Sequence, residues 1–322
     1  MKFRYLVRKL LQAIVTLFFV LLVNYVLFRV MPGNPLNMIM RNPKATPEAI
    51  QKIKALFGLG QPWYEQIWIY FSQLLHGNLG MSFEFRTPVI NIIAERIPAT
   101  LLLVGIATIA SIAGGIFIGV AAARRRGTKV DIVSLSFSLL TYSMPTFWLG
   151  IILVALFSVQ LLWFPVSGMV TAGQSYGSYW GYISDIAQHL FLPTLTLTLV
   201  LLGQYVLIMR NALLDVLTED YIQTAKAKGF SEKWIMRKHA VPNARLPMVT
   251  LVSMNLGFVI AGAIEIETVY SWPGLGRLMY QALMGRDYPL LEGIFLLVSV
   301  CVVVANLFSD LLYGYLDPRV KA

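Results

Sequence analysis

Six stretches of the chain are apolar for long enough to cross a bilayer, at residues 9–30, 98–122, 132–160, 188–210, 246–270 and 289–314. A membrane helix takes about 20 mostly apolar residues. Lipid offers backbone groups no partner, so each stretch is predicted to be a helix that closes its hydrogen bonds internally. The third is long and holds Pro145, which predicts a kink there. In the first, Leu10 to Phe28 is uncharged over 19 residues. That exceeds the roughly 7–15 residues of a signal-peptide core, and no small-x-small cleavage pattern follows, so it reads as a retained span.

The polar stretches between these runs have patterns of their own. Thr46-Pro47-Glu48 has the order of a helix start, predicting a short helix to Gly58. Gln61-Pro62 opens a second that ends at Gly77, with Trp63, Ile67, Tyr70, Phe71 and Leu74 on one face. Trp and Tyr favour the headgroup level, so this helix is expected flat on the outer surface or packed on the spans. Ala107, Ser111, Gly115, Gly119 and Ala123 in the second span, and Ser253, Gly257 and Ala261 in the fifth, recur every four residues. Such stripes let helices approach closely. The organisation expected is residues 1–97, one span with a long outer loop, then 98–322, a five-span core with an elbow at 214–245.

Composition agrees with this pattern. Only 13% of the 322 residues are charged, against about 25% in soluble proteins. The net charge of +10 is unevenly placed: with the N-terminus inside, 17 of the 26 Lys and Arg fall on the inner side. Seven of the other nine lie in or beside the long first loop, where the positive-inside rule has little force. Both termini are therefore expected in the cytoplasm. A single cysteine, Cys301, excludes a disulfide framework and a CxxC metal site.

The stretch between the fourth and fifth spans is the most specific. Thr218 is placed to cap a helix. Glu219 and Asp220 lie where the helix dipole is positive, Lys226 and Lys228 where it is negative. Gly229 supplies the left-handed residue that ends the helix. Ser231 caps a second one, running through Arg237, Lys238 and His239 to Pro242. This helix–glycine–helix elbow resembles the EAA-type loop of ABC importer permeases. Gln223-Thr224-Ala225 stands where that loop has Glu-Ala-Ala, and Gly229 is its glycine. His239 to Ala244 is similar to the His-Ala-x-x-Asn-Ala stretch of the dipeptide/oligopeptide (peptide/nickel) branch. The resemblance covers the chain: Met31-Pro32-Gly33-Asn34-Pro35, Arg96-Ile97-Pro98-Ala99-Thr100, Pro145 to Gly150, Glu267 to Gly276, Asp287-Tyr288-Pro289 and Asp317-Pro318-Arg319 follow that family's landmarks in order and spacing.

The resemblance implies an all-α integral membrane protein with six transmembrane helices, the ABC type I importer transmembrane-domain fold, and both termini cytoplasmic. It implies a non-catalytic, multi-pass permease subunit of a bacterial or archaeal cell (inner) membrane. A second homologous permease subunit would complete the pore. Two cytoplasmic ATPase subunits would dock on Glu219, Asp220, Gln223, Thr224, Ala225, Lys228, Gly229 and His239. An extracytoplasmic substrate-binding protein would deliver peptide, or an oligosaccharide, nickel chelate or glutathione. No cofactor is expected on this chain, ATP and Mg belonging to the partner subunits. The dipeptide Gly-Lys is missing from the sequence, which excludes a P-loop. His76, His189 and His239 lie far apart, and no catalytic or metal role is expected of them. A stand-alone channel or secondary transporter would not need a basic elbow and usually shows internal repeats, which are not evident here. A nucleic-acid-binding helix-turn-helix flanked by spans would have little reach into a groove.

Polar groups within spans are costly and mark pathways. Glu265 and Glu267 lie near the outer end of the fifth span. Glu265 is expected either to line the outer mouth, favouring a cationic or amine-bearing substrate, or to pair at the interface with Arg277 or Arg286. Thr141, Tyr142, Ser143 and Thr146 surround Pro145. They either line the pathway or satisfy backbone groups freed by the kink. Gln204 and Tyr205 in the fourth span stand in the same two readings.

Overall fold

The computed structural model describes residues 3–30, 61–245, 247–249, 251–252, 255 and 264–316, mostly as helix. The predicted helix 46–58, Met31 to Pro35, the small residues of the fifth span and Asp317-Pro318-Arg319 lie outside the described residues. The principal helices are α1 (Phe3–Val30), α2 (Trp63–Leu75), α3 (Val89–Arg124), α4 (Lys129–Ser143), α5 (Thr146–Leu153), α6 (Tyr179–Leu217), α7 (Asp220–Ala227), α8 (Glu232–Ile235), α9 (Ile264–Val269), α10 (Leu275–Met284) and α11 (Tyr288–Leu316).

Among the described residues four helices are long and apolar enough to cross a membrane: Leu6–Phe28, Val89–Arg124, Tyr179–Leu217 and Tyr288–Phe308. A fifth crossing results if the bent pair Lys129–Ser143 and Thr146–Gln160 is one span. The expected kink at Pro145 is a full break, the two helices meeting at 103°. Met144 (φ −75°, ψ 134°) and Pro145 (φ −58°, ψ 130°) are both extended. Proline disfavours the helical conformation in the residue before it and has no N–H to give. The helix therefore stops at Ser143 and restarts at Thr146. Beyond α5 the chain continues as a π-helical stretch, Val154–Gln160.

Contacts divide the chain into two units, Met1–Pro98 with Arg277–Ala322, and Ala99–Gly276. In the first, α1 lies along α11, with Phe28 against Phe295 at 5.7 Å. Two aromatics of the face of α2 pack on α1, Phe71 stacking on Phe18 at 5.6 Å and Tyr70 meeting Tyr25 at 5.2 Å, while Trp63 is exposed. Asp287 starts α11, accepting from the Leu290 N–H at 3.3 Å, from Glu84 N–H at 3.1 Å and from the Ser82 hydroxyl. The Asp-Tyr-Pro landmark is thus a cap followed by a proline in the first turn, where its missing N–H costs nothing.

In the second unit α3 and α6 share the small-residue seam. A Cβ on Gly115 would run into Tyr205, and one on Gly119 would lie 2.8 Å from Met209 Cβ. Ala107, Ser111 and Ala123 on the same stripe are buried. Gly203 does the same for α4, where a Cβ would meet the Ser138 carbonyl.

Candidate functional site

The elbow is built from α7, α8 and the turn between them. Thr218, expected to cap α7, instead closes α6. Its hydroxyl donates to the Asp215 carbonyl at 2.7 Å, and Glu219 (φ −67°, ψ 145°) precedes the new helix. The longer reach of α6 uses Thr218 before α7 begins. Gly229 ends α7 at φ +81°, with its N–H on the Lys226 carbonyl at 2.9 Å and the Phe230 N–H on Ala225 at 3.3 Å. That pair of bonds is the Schellman closure, and its left-handed residue disfavours a Cβ. Ser231 caps α8 as expected, accepting from Trp234 N–H at 3.4 Å.

One side of the elbow is core. Ile222, Ala225, Ile235, Met236 and Ala240 are buried against Ala123 of α3 and Met209 and Leu213 of α6. Ala225 is small because it sits in this contact. Glu219, Asp220, Gln223, Thr224, Lys228 and Gly229 are exposed on the other side. Phe230 stacks on Trp234 at 4.1 Å, and Trp234 meets the half-buried His239 at 4.9 Å. The His-Ala-x-x-Asn-Ala stretch has a local cause. Met236–Ala240 is a π-helical turn, Pro242 has no N–H for the usual ladder, and Asn243 Nδ2 donates to the His239 carbonyl at 2.7 Å.

Above the elbow, α6 is bolted to α4. Arg210 Nε donates to Asp131 Oδ1 at 2.6 Å and Nη2 to Oδ2 at 2.8 Å, while Gly127 N–H reaches the same carboxylate at 2.9 Å. Asp131 is 3% exposed. Neither partner stands out in the sequence, where Arg210 counts only as one more basic residue at a span end.

At the opposite end of α6 two carboxylates are buried. Glu267 accepts from Thr100 Oγ1 at 2.8 Å, and that same hydroxyl accepts from Leu275 N–H at 2.7 Å. The carboxylate fills the space where Gly274 would carry a Cβ. Trp272 Nε1 donates to the Ala99 carbonyl at 2.8 Å. The Glu267 to Gly276 landmark is therefore a turn folded around its own acid. Asp185, 8% exposed, receives Thr171 N–H and Oγ1, both at 2.7 Å, and the Tyr176 hydroxyl at 2.6 Å. His189 shares a hydrogen bond with Thr171 Oγ1 at 3.3 Å, and its Nδ1 donates to the Gly168 carbonyl at 3.2 Å. Gly168 N–H in turn donates to the Tyr270 carbonyl at 2.8 Å. The loop after Gln160 is thereby strapped to α6 and α9. His189, assigned no role from the sequence, is part of this strap.

The remaining polar candidates are distributed around the break. Tyr142 and Ser143 are exposed, and Thr146 is half-buried. Thr141 is buried and donates to the Phe137 carbonyl of its own helix at 3.1 Å. Tyr205 is fully buried and accepts from Asn255 Nδ2 at 3.0 Å, so it packs, whereas Gln204 is half-buried. Glu265 is exposed.

Comparison with known proteins places this architecture. The model of the binding-protein-dependent transport system inner membrane component matches residues 115–322, and the N-terminal model of such components matches residues 2–104. The glutathione transport system permease protein GsiC of Escherichia coli (strain K12) is 35% identical over 317 residues, 98% of each chain. The dipeptide transport system permease protein DppB of the same strain is 36% identical over 334 residues, 99% of this chain and 98% of that one. A solved inward-facing structure of the MetNI methionine ABC transporter superposes with a TM-score of 0.55 at 17% identity, covering 71% of this chain and 97% of that one, a likeness of fold. The chain belongs to the inner membrane components of binding-protein-dependent transport systems, as an ABC importer permease of the peptide/nickel family.

Proposed function

We propose that the elbow is where a cytoplasmic ATPase docks, and that this chain is half of a pore for short peptides. The observation that carries the reading is the two-sidedness of α7. Ile222 and Ala225 are buried against α3 and α6, while Glu219, Asp220, Gln223, Thr224, Lys228 and Gly229 remain free for a partner, with His239 at their edge. Force applied to such a knuckle passes directly into α6. Two ATPase subunits carry the ATP and Mg. A second homologous permease completes the pore, and an extracytoplasmic binding protein delivers the substrate. The distribution of Lys and Arg supports six crossings with both termini cytoplasmic, in a bacterial inner membrane. Residues 1–97 supply one span with a long outer loop, and 98–322 the five-span core with the elbow at 214–245.

Tyr142, Ser143, Thr146 and Glu265 line the pathway in this reading, supported by the exposure of Tyr142, Ser143 and Glu265. Glu267 shapes the outer mouth through the turn it fills. Relatives named for glutathione and dipeptide are similar to this chain to the same degree, which supports a short peptide whose amine Glu265 would attract. The test is reconstitution with both ATPases and the second permease. Peptide uptake should require all subunits, and Glu265→Gln should weaken it for peptides with a free amine. Transport by this chain alone would refute the reading.

A further inference from the structure

We propose that a cleft between the elbow and the ends of α3 and α6 is a binding site for the headgroup of an anionic phospholipid; this rests on the elbow facing the cytoplasm, as argued above. The cleft has a volume of about 390 Å³ and is lined by Ala123 and Arg124 at the end of α3, Leu217 at the end of α6, Lys226 of α7, and Phe230, Glu232, Ile235 and Met236. Its walls divide by chemistry. Ile235 and Met236, 2% and 5% exposed, with Ala123, form an apolar floor. Arg124 and Lys226 stand at the rim, are exposed, and form no ion pair among the described residues. Arg125 and Arg126, also exposed, add charge next to Arg124.

A cavity that is apolar below and cationic above fits an amphiphile with an anionic head. Arg124 ends a helix long and apolar enough to cross a membrane, and basic pockets at the cytoplasmic ends of spans bind anionic lipids. Arg124 and Lys226 outnumber the one carboxylate of the lining, Glu232, so the cleft favours an anion. A headgroup that also carries hydroxyls, such as glycerol, donates to Glu232. A zwitterionic headgroup would leave the excess positive charge uncompensated. Each of the elements that meet here, α3, α6, α7 and α8, touches the cleft. A bound lipid would therefore fill the gap between the elbow and the spans and stiffen the link through which force passes.

The experiment is native mass spectrometry of the assembled importer, released from nanodiscs of phosphatidylethanolamine with and without phosphatidylglycerol. Wild type should retain phosphatidylglycerol. Arg124→Gln and Lys226→Gln should each lower that retention about fivefold, with the ATPase subunits still bound in the same spectrum. Equal retention in both variants overturns the site. Displacement of the lipid by inorganic phosphate at equal concentration assigns the cleft to a free anion and overturns the lipid. If a variant fails to assemble, the test passes to wild type in neutral discs, where added phosphatidylglycerol should saturate as a single bound copy per elbow; absence of a saturable copy overturns the proposal. Accessibility of a Lys228→Cys elbow to a membrane-impermeant thiol reagent from outside would overturn the cytoplasmic placement separately, independent of lipid retention.

Discussion

Arg210 holds Asp131 with two parallel hydrogen bonds, 2.6 and 2.8 Å long, and so fixes the first turn of α4 to the last third of α6. The bidentate fit requires a guanidinium, which an ammonium does not replace. α6 ends at Leu217, directly before the elbow, and α4 ends at the Pro145 break. The pair thus ties the end of α6 that precedes the elbow to the helix that stops at the Pro145 break. Arg210→Ala should lower stability by about 1.5–3 kcal/mol, the range for hydrogen bonds to charged groups. A value below that of a deep ion pair is expected because Gly127 and Thr128 beside Asp131 are exposed. Thermal unfolding of the purified subunit measures this. Arg210→Lys should recover little of the loss, and ATPase activity in the assembled importer should then run without matching uptake.

Gly229 sits at φ +81° with open space where a Cβ would project. A substitution there is opposed by backbone conformation alone, at about 1–2 kcal/mol. Gly229→Asn should therefore keep most uptake, since Asn tolerates the left-handed region, and Gly229→Val should lose it while the protein still inserts. Uptake and ATP hydrolysis measured together in proteoliposomes would show the separation. Normal coupled uptake by Gly229→Val would remove the elbow from the force path.

Thr100 serves Glu267 and Leu275 with one hydroxyl. Thr100→Val should cost about 1–3 kcal/mol by leaving buried polar groups unmatched, and Thr100→Ser should restore it. Gly274→Ala should be worse, because its methyl group would occupy the space of the Glu267 carboxylate. Yield and thermal midpoint in detergent report both.

The Tyr176 phenol is held above its ordinary range, first by its hydrogen bond to Asp185 and then by burial. A raised phenol pKa stabilises the neutral form in the fold. That contribution is complete below the ordinary tyrosine value of about 10 and is lost as pH rises through the higher folded value. The protection of residues 168–176 against hydrogen exchange, taken relative to the unfolded chain at the same pH, should stay high at neutral pH and fall only in strong alkali. Tyr176→Phe should remove the alkaline step, and Asp185→Asn should quicken exchange at every pH.

Much of the elbow was legible from local sequence. The Gly229 closure and the Ser231 cap join residues within five positions of each other, so the residues themselves announce them. Thr218 shows the limit even there. As a residue it fits either the start of α7 or the end of α6, and only the length of α6 decides between them. The same holds at Pro145, where proline implies a bend but packing against α6 and α9 accompanies a turn of 103°.

The apolar lengths, the uneven Lys and Arg, and the glycine-closed elbow belong to the sequence alone, because transfer to lipid and helix capping act on contiguous residues. The partners of the buried acids belong to the tertiary structure. Asp131 meets Arg210 across 79 positions, and Glu267 meets Thr100 across 167. A carboxylate removed from water needs donors wherever it lies, and which donors reach it is decided only when distant helices pack.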